Sequence, residues 1–358
     1  MNKNKRKSNI ELLRILSMLG VIILHYNNKT IGGGLQYVTD NSVNYYILML
    51  LESLCICAVD LFMLISGYFS CLGKRSTLNK PFALIVQVVI FSFAWNLFTG
   101  AVKGTLTIKS LISSLVPANY FVILYITVYL LSPYLNLLYE RITKNFVVLI
   151  FALFSVYPTI VEVFSQITGR DWLGLSSIGM YGSQWGYQIV NFILMYFVGM
   201  YIRKNIEQLK NIKLSKYIFA LGGIVLLITV WGCVSEMIGY NRNMAWIYCN
   251  PLVVIEASVI FMIFEKIDMG NVKWINQFSA ACFTVFLTHG YFINKVKIDW
   301  AVHQNPMIMI GHIILCSVLI YLIGFMAYKV YDFIWKKVYG VIERKEIVII
   351  QLYKSEDN

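Results

Sequence analysis

Apolar runs of about 20 residues recur along the whole of this chain and decide what it can fold into. A run of that length crosses the hydrocarbon core of a bilayer as an α-helix. A helix also satisfies every backbone amide internally, which a bilayer requires. Only 13% of the 358 residues are charged, about half the usual share in soluble domains. The composition therefore excludes a soluble globular enzyme, a disordered chain and a disulfide-stapled secreted domain.

Ten apolar segments are assigned as membrane spans. They are residues 10–28, 45–71, 82–100, 119–139, 146–165, 187–202, 216–234, 246–266, 279–297 and 306–330. The longest loop, residues 166–186, has room for a re-entrant or interfacial piece. We predict an all-α polytopic membrane protein with about ten transmembrane helices, in which residues 1–330 form a single domain. Residues 331–358 form a short cytoplasmic or interfacial tail, whose first turns alternatively continue the tenth span.

Positive charges are distributed unevenly between alternate loops. With the N-terminus placed in the cytoplasm, the inner segments contain 22 Lys and Arg residues and the outer segments seven. Cytoplasmic loops of membrane proteins carry such an excess, so both termini are predicted to be cytoplasmic. The same bias explains the net charge of +12, and no nucleic-acid partner is expected. The basic N-terminus is not assigned as a signal peptide, because Arg14 interrupts the apolar run that follows and no small-residue cleavage site is present.

The first span carries two ionisable groups on one face. A charged side chain in hydrocarbon costs at least about 2.5–3.5 kcal/mol, so each one indicates a function or a buried partner. Arg14 and His25 are 11 residues apart, which places them on the same side of a helix and about 16 Å apart along its axis. This stripe joins an anion-binding group near the cytoplasm to a titratable base deep in the membrane. Alternatively, Arg14 reaches lipid headgroups and His25 satisfies a hydrogen bond in the core.

The second span runs in the opposite direction and carries two acidic residues. If the two spans are neighbours, Glu52 lies at the depth of His25 and Asp60 near Arg14, and both pairs are possible. A carboxylate beside a histidine fixes its tautomer and raises its basicity, as a general base requires. Packing-only roles for both acids are the alternative. His289, in the ninth span, either lines the same cavity or is a core histidine.

Other chemistry-bearing patterns are weak. The seven cysteines form no CxxC pair and are interpreted as small buried apolar residues. No His, Cys or Asp cluster has the spacing of metal ligands, so neither a metal nor a bound cofactor is expected. The glycines of residues 32–34 are interpreted as a flexible loop. Glu162 and Glu256 are weak candidates for a polar cavity.

One pattern in the first span has a counterpart in a known family. Arg14 lies three positions after Glu11. Ten mostly apolar residues then separate Arg14 from His25. This arrangement resembles the signature of the integral-membrane acyltransferase family (acyltransferase 3 type). The resemblance implies that the His is essential for acyl transfer and that the Arg serves acyl-CoA. These roles would fall on His25 and Arg14, with Glu11 supporting the cavity.

Three further stretches resemble the same family. They are residues 59–69, 125–136 and 278–289, which look like its second-helix, fourth-helix and late aromatic-Leu-x-His motifs. The first of them contains Asp60 and Ser66, which are assigned as supporting residues of the cavity together with His289. Gly290 departs from the family, which usually has Pro at that position. The order and spacing of the motifs agree with a ten-helix core over nearly the whole chain.

The resemblance implies an enzyme that uses cytoplasmic acyl-CoA, as a co-substrate, to O-acylate carbohydrates. Lys74 and Arg75, in an inner loop, suit the CoA phosphates together with Arg14. The acceptor is expected to be a lipid-linked or surface glycan, such as a capsule or exopolysaccharide, and the acyl group to be acetyl. His25 is predicted to act as general base with Glu52 as a second catalytic residue, and a transient acyl-His remains open. Some relatives carry a C-terminal hydrolase-like domain, whereas here a stand-alone core is expected.

Two other functions suit a multi-spanning protein with charges in the membrane. A flippase or transporter for a lipid-linked sugar is the first, and against it stand the lack of an internal repeat and the four family-like stretches. A glycan polymerase is the second, but the longest outer loop here, residues 166–186, is short for that class. An O-acetyltransferase for a cell-surface polysaccharide is the favoured prediction.

Overall fold

The structure, a computed structural model, describes residues 7–117, 119–170, 172, 184–339 and 348–351. The α-helices within these residues are α1 (Ser8–Asn27), α2 (Gly34–Tyr37), α3 (Val43–Cys55), α4 (Ala58–Ser70), α5 (Asn79–Lys103), α6 (Ile108–Ser113), α7 (Tyr120–Asn136), α8 (Lys144–Phe151), α9 (Tyr157–Thr168), α10 (Ile189–Lys204), α11 (Ile206–Lys210), α12 (Leu214–Met237), α13 (Pro251–Glu265), α14 (Lys273–Ser279), α15 (Cys282–Ile293), α16 (Ile298–Val302) and α17 (Pro306–Tyr339). Short strands lie at Arg75–Thr77 (β1) and Val348–Gln351 (β2). The predicted helical architecture is confirmed, and one small pair of strands accompanies it.

Among the described residues, six helical stretches are long and apolar enough to cross a membrane. They are Ser8–Asn27, Val43–Ser70, Asn79–Lys103, Lys144–Thr168, Leu214–Met237 and Pro306–Lys337. Shorter apolar helices, Tyr120–Asn136 and Cys282–Ile293, accompany them. Each of the ten segments assigned from the sequence contains a helix. The protein is therefore a multi-pass membrane protein, whereas the number of crossings and the side of each terminus stay predictions.

Several helices begin at residues suited to that position. Ser42, Thr143 and Asn250 precede α3, α8 and α13, and their side-chain oxygens accept hydrogen bonds from backbone N–H groups at 3.1, 3.2 and 2.9 Å. Such caps satisfy donors that a helix cannot pair internally. Pro251 then occupies the first position of α13, where its missing N–H costs nothing. These local signals fix where the apolar segments start.

Two predicted spans are interrupted, and the last one is longer than predicted. Residues 56–57 separate α3 from α4, and a π-helical turn, Ala152–Val156, separates α8 from α9. Helix α17 continues to Tyr339. The first turns of the predicted tail therefore continue the tenth span, which was the alternative prediction for them. Strand β2 pairs antiparallel with β1, which was not predicted. Most of the loop at residues 166–186 and the remainder of the tail lie outside the described residues.

The chain divides into two compact units. Unit 1 comprises Met1–Phe69 and Tyr139–Lys329, and unit 2 comprises Ser70–Leu138 and Val330–Asn358. Within unit 1, α1 packs against α3, α13, α14 and α15. In the most apolar 18-residue stretch of α1, 67% of the residues are buried. Such burial is typical of a helix that is apolar on most sides and lies in a protein core. Helix α1 is therefore a central helix of unit 1. Within unit 2, α5 contacts α6 and α7, and α7 also contacts both strands.

Two glycines bring α4 and α10 of unit 1 into backbone contact. A Cβ atom on Gly67 would collide with the backbone of Tyr196, and one on Gly199 with the backbone of Leu64. Small residues at such crossings let membrane helices approach closely. The family-like motif at residues 59–69 therefore has a packing role in addition to any role in a cavity.

Candidate active site

His25 of α1 and His289 of α15 face each other inside unit 1. The Nδ1 atom of His25 lies 2.5 Å from the Nε2 atom of His289. The two rings are stacked with their centroids 4.6 Å apart. His289 is 5% exposed, and its Nδ1 atom lies 3.2 Å from the carbonyl oxygen of Val285 in its own helix. The two histidines that the sequence singled out are thus in direct contact.

The carbonyl oxygen of Val285 fixes the direction of the hydrogen bonds made by the two histidines. A carbonyl oxygen only accepts, so His289 carries a proton on Nδ1, and in the neutral ring its Nε2 atom is an acceptor. His25 must then donate from Nδ1 to that atom, which leaves the lone pair of a neutral His25 on Nε2. Among the described residues, the Nε2 atom of His25 has no hydrogen-bond partner. The arrangement leaves one basic nitrogen of His25 available to a substrate.

Glu52 contacts a different residue of α1 from the one predicted. Its Oε2 atom accepts a hydrogen bond from Nδ2 of Asn27 at 2.9 Å, and the predicted Glu52–His25 pair does not form. Asn27 and His25 are two residues apart, which turns their side chains about 200° from each other around the helix. Helix α3 lies on the Asn27 side of α1 and α15 on the His25 side. Any influence of Glu52 on His25 is therefore indirect.

Asp60 also has a different partner from the one predicted. Its Oδ1 atom accepts a hydrogen bond from Nδ2 of Asn191 in α10 at 2.9 Å, so the predicted Asp60–Arg14 pair does not form. Asp60 and Asn191 are both almost completely buried. Helix α4 turns Asp60 toward α10, which it meets at the glycine crossing, and not toward α1. Asp60 thus belongs to the core between these two helices.

Arg14 is held by the acidic residue one turn before it. Its Nη1 atom donates to Oε1 of Glu11 at 2.9 Å, and the Arg14 side chain is 33% exposed. The Ser279 hydroxyl donates to the other oxygen of Glu11. A guanidinium has five N–H donors, and the described residues use one of them. Arg14 is therefore oriented by Glu11 and still has donors for an anionic ligand.

A basic cavity of about 710 Å³ opens at the N-terminal end of α1. Its charged lining residues are Lys7, Lys210, Glu265, Lys266 and Asp268. The Oε1 atom of the buried Glu265 lies 2.6 Å from Nζ of Lys7 and 3.3 Å from Nζ of Lys210. Lys7 precedes α1 directly, seven residues before Arg14, or about 10 Å along the axis. Sequence reasoning missed this cavity, and the only signal for it was the excess of positive charge in the predicted inner segments.

Lys74 and Arg75 lie in unit 2, both with exposed side chains. The fourth-helix motif, within α7, holds the segment that carries them. Nδ2 of Asn136 donates to the carbonyl oxygens of Ser70 and Gly73 at 2.7 and 2.8 Å. The Tyr129 hydroxyl accepts a hydrogen bond from the backbone N–H of Thr77 at 3.3 Å. The motif thus fixes the backbone on both sides of the two basic residues.

Two of the three remaining predicted residues have hydrogen-bond partners within their own helices. The Ser66 hydroxyl donates to the carbonyl oxygen of Phe62 at 2.8 Å, one turn earlier in its own helix. Glu162 is completely buried and accepts a hydrogen bond from Nε2 of Gln166 at 3.2 Å. Glu256 is also completely buried. The described contacts bring none of these three to the histidine pair.

Comparison with known proteins identifies the family of this chain. A profile of the acyltransferase 3 family, described as an acyltransferase domain, matches residues 7–332. The matched range includes the histidine pair, Arg14 and the four stretches that resemble the family. No curated protein and no solved structure gives a significant match. Because the family profile covers nearly the whole chain, the protein belongs to the acyltransferase 3 family of integral-membrane acyltransferases.

Proposed function

We propose that the protein moves an acetyl group from cytoplasmic acetyl-CoA to a carbohydrate hydroxyl of a capsule, exopolysaccharide or other cell-surface glycan. The family supplies the reaction class, an acyl transfer in a membrane. The observation that carries the proposal is the hydrogen-bond order from His25 through His289 to Val285. It leaves an unshared electron pair on Nε2 of His25, as a general base requires.

In the proposed reaction His25 acts first as a base and then as an acid. Its Nε2 atom takes the proton of the sugar hydroxyl while the hydroxyl oxygen attacks the thioester carbonyl carbon. A carbon–oxygen bond forms, the carbon–sulfur bond breaks, and CoA leaves as a thiolate. The proton on Nε2 then passes to that sulfur, so the products are the ester and CoA and His25 is neutral again. His289 accepts the Nδ1–H hydrogen bond throughout and supports the transient positive charge.

The donor is proposed to enter from the N-terminal end of α1. Arg14 offers free N–H donors to an anion, and Lys7, Lys210 and Lys266 surround the adjacent cavity. Guanidinium and ammonium groups bind phosphates well. The thin pantetheine arm would then follow α1 over the about 16 Å from Arg14 to His25. Lys74 and Arg75 remain proposed phosphate contacts from unit 2.

Glu52 is retained as a residue that affects catalysis, in a role different from direct contact. Its hydrogen bond to Asn27 fixes the end of α1 just beyond His25. We therefore assign Glu52 as a positioning residue. The described contacts support the same kind of role for Glu11, which orients Arg14.

The proposal is tested on surface polysaccharide from three strains: one lacking the protein, one with wild type restored, and one with His25→Ala restored. Proton NMR before and after mild alkali counts the ester-linked acyl groups on each polymer. We expect the polymer in all three strains and esters with wild type alone, since loss of a general base costs about 10²–10⁴-fold in rate. Binding of acetyl-CoA to the purified His25→Ala protein is the control for folding.

Two results contradict the proposal. Loss of the polymer itself in the deletion strain favours the flippase or polymerase alternative. Survival of the esters with a well-expressed His25→Ala protein removes His25 from the reaction. Trapping of an acetyl group on His25 keeps the reaction class and replaces general-base catalysis by a covalent route.

A further inference from the structure

A second cavity of unit 1, of about 370 Å³, opens at the C-terminal ends of α1 and α15, the two helices that carry the histidine pair. Among its lining residues are Gly32, Tyr37, Asn294, Lys297, Asp299 and Trp300. The backbone N–H of Gly32 donates to the carbonyl oxygen of His25 at 3.0 Å. The other lining segment begins at the end of α15, the helix that carries His289. The cavity is therefore built on the chain segments that directly follow the two histidines.

The glycine loop that lines this cavity is tightly packed, and its interpretation as a flexible loop is wrong. A Cβ atom on Gly32 would collide with the backbone carbonyls of His25 and Tyr26. Gly33 has a positive φ of 78°, and the Tyr37 ring lies against it, where a side chain would collide. Glycine is the residue that adopts such a φ without strain. The loop thus holds Tyr37 in a fixed place next to the C-terminal end of α1.

The chemistry of the lining combines aromatic faces with unused polar groups. Trp300 is 53% exposed and Tyr37 44% exposed. The side chains of Asn294 and Lys297 have no hydrogen-bond or ion-pair partner in the part of the chain that the structure describes. The Asp299 carboxylate is exposed and lies 3.6 Å from the ring of His303. The cavity therefore offers two rings, an amide, an ammonium group and a carboxylate to a ligand.

A sugar unit has the matching chemistry. Its C–H faces pack on aromatic rings, and the hydroxyls on its edge both donate and accept hydrogen bonds. The lining carries one positive and one negative side chain among the residues named above, which suits a neutral polar ligand better than the polyanionic CoA. The basic cavity with Lys7 lies at the opposite end of α1. Donor and acceptor would thus approach His25 from opposite ends of one helix.

We propose that the cavity lined by Gly32, Tyr37, Asn294, Lys297, Asp299 and Trp300 binds the carbohydrate unit whose hydroxyl is acylated. This inference rests on the proposed function and names its acceptor site. The polar groups hold the sugar, Trp300 and Tyr37 pack on it, and the hydroxyl to be acylated points toward Nε2 of His25.

The test compares Trp300→Ala, Trp300→Phe and Asn294→Ala with wild type. Trp274→Ala is the matched control, because Trp274 is 59% exposed on α14 and lies outside both cavities. Ester content of the surface polysaccharide measures transfer, and binding of acetyl-CoA to the purified proteins measures the donor site. We expect Trp300→Ala to lower ester content about tenfold, as for the loss of one good aromatic contact. Asn294→Ala should lower it as well, Trp300→Phe should restore most of it, and Trp274→Ala should match wild type.

The outcomes separate this inference from the proposed function. Acetyl-CoA affinity should stay within about twofold of wild type in every variant. Wild-type ester content in both Trp300→Ala and Asn294→Ala overturns the acceptor site and leaves the proposed function intact. A parallel loss of acetyl-CoA affinity, or an equal loss in Trp274→Ala, overturns it too. If wild type itself adds no esters, the proposed function fails.

Discussion

The Nδ1 atom of His25 lies 2.5 Å from Nε2 of His289, and His289 is held in turn by the carbonyl oxygen of Val285. This relationship fixes which nitrogen of His25 faces the substrate. Removing the second ring would leave the His25 Nδ1–H without an acceptor and its ring free to turn. A loss of orientation of this size costs about 10²-fold in rate.

We therefore expect His289→Ala to lower kcat about 10²-fold with little change in the KM for acetyl-CoA. His289→Gln retains an oxygen that accepts from His25 and should recover part of the loss. The measurement is acetyl transfer at saturating acetyl-CoA. If the glutamine variant is no better than the alanine variant, although both proteins fold, the hydrogen bond is not what His289 contributes.

Glu52 offers a contrasting case because it acts through Asn27. Glu52→Gln keeps an oxygen that accepts the Asn27 amide, so we expect less than about a tenfold loss of activity. Glu52→Ala removes that acceptor and should lose more. If the negative charge of Glu52 were what matters, the glutamine and alanine variants would instead be equally inactive. Ester counts on the surface polysaccharide distinguish the two.

Arg14→Gln should weaken acetyl-CoA binding about tenfold, because a charge-assisted hydrogen bond is lost. Acetyl-pantetheine lacks the nucleotide phosphates, so its binding should hardly change in the same variant. Arg170→Gln, at an exposed arginine, is the matched control for the loss of one positive charge. Equal weakening of both ligands would mean that Arg14 supports the fold and not the phosphates.

Asn136 gives a test of the prediction that Lys74 and Arg75 of unit 2 bind the donor. Its amide ties Ser70 and Gly73 to α7, and Asn136→Ala frees the backbone near Lys74 and Arg75. We expect the KM for acetyl-CoA to rise severalfold and kcat to stay close to wild type. Thr127→Ala, on the same helix, removes a hydrogen bond only to α7 itself and serves as control. An unchanged KM would separate this segment from the donor.

Gly67→Ala should destabilise the protein, since its Cβ would collide with the backbone of Tyr196. Overpacking of this kind typically costs about 1–3 kcal/mol. Gly222→Ala is a matched control, because a Cβ at that position of α12 meets no atom within 4 Å. Thermal unfolding in detergent should show a lower midpoint for Gly67→Ala alone. Equal midpoints would contradict the close crossing of α4 and α10.

The sequence predicted the helices and the stripe of Arg14 and His25 well, because both follow from spacing within one segment. It did not predict which helix faces His25, since the choice between α3 and α15 depends on tertiary packing. Glu52 illustrates the difficulty: it lies on α3 and meets α1 two residues beyond His25, where the turn of α1 presents Asn27 to it and not His25. Strand β1 was missed because its partner is more than 270 residues away, and local pattern carries no signal for such a pairing.

The glycine crossing of α4 and α10 also limits how these two helices can move relative to each other. The backbone at Gly67 lies against that of Tyr196, and the backbone at Gly199 lies against that of Leu64. Neither helix can therefore slide along the other without first separating from it. The Asp60–Asn191 hydrogen bond joins the same two helices at another level. A rocking cycle that opens the protein alternately to each side would have to leave this pair intact. If the helices instead stay in place while the reactants diffuse in and out, α4 and α10 need not move at all.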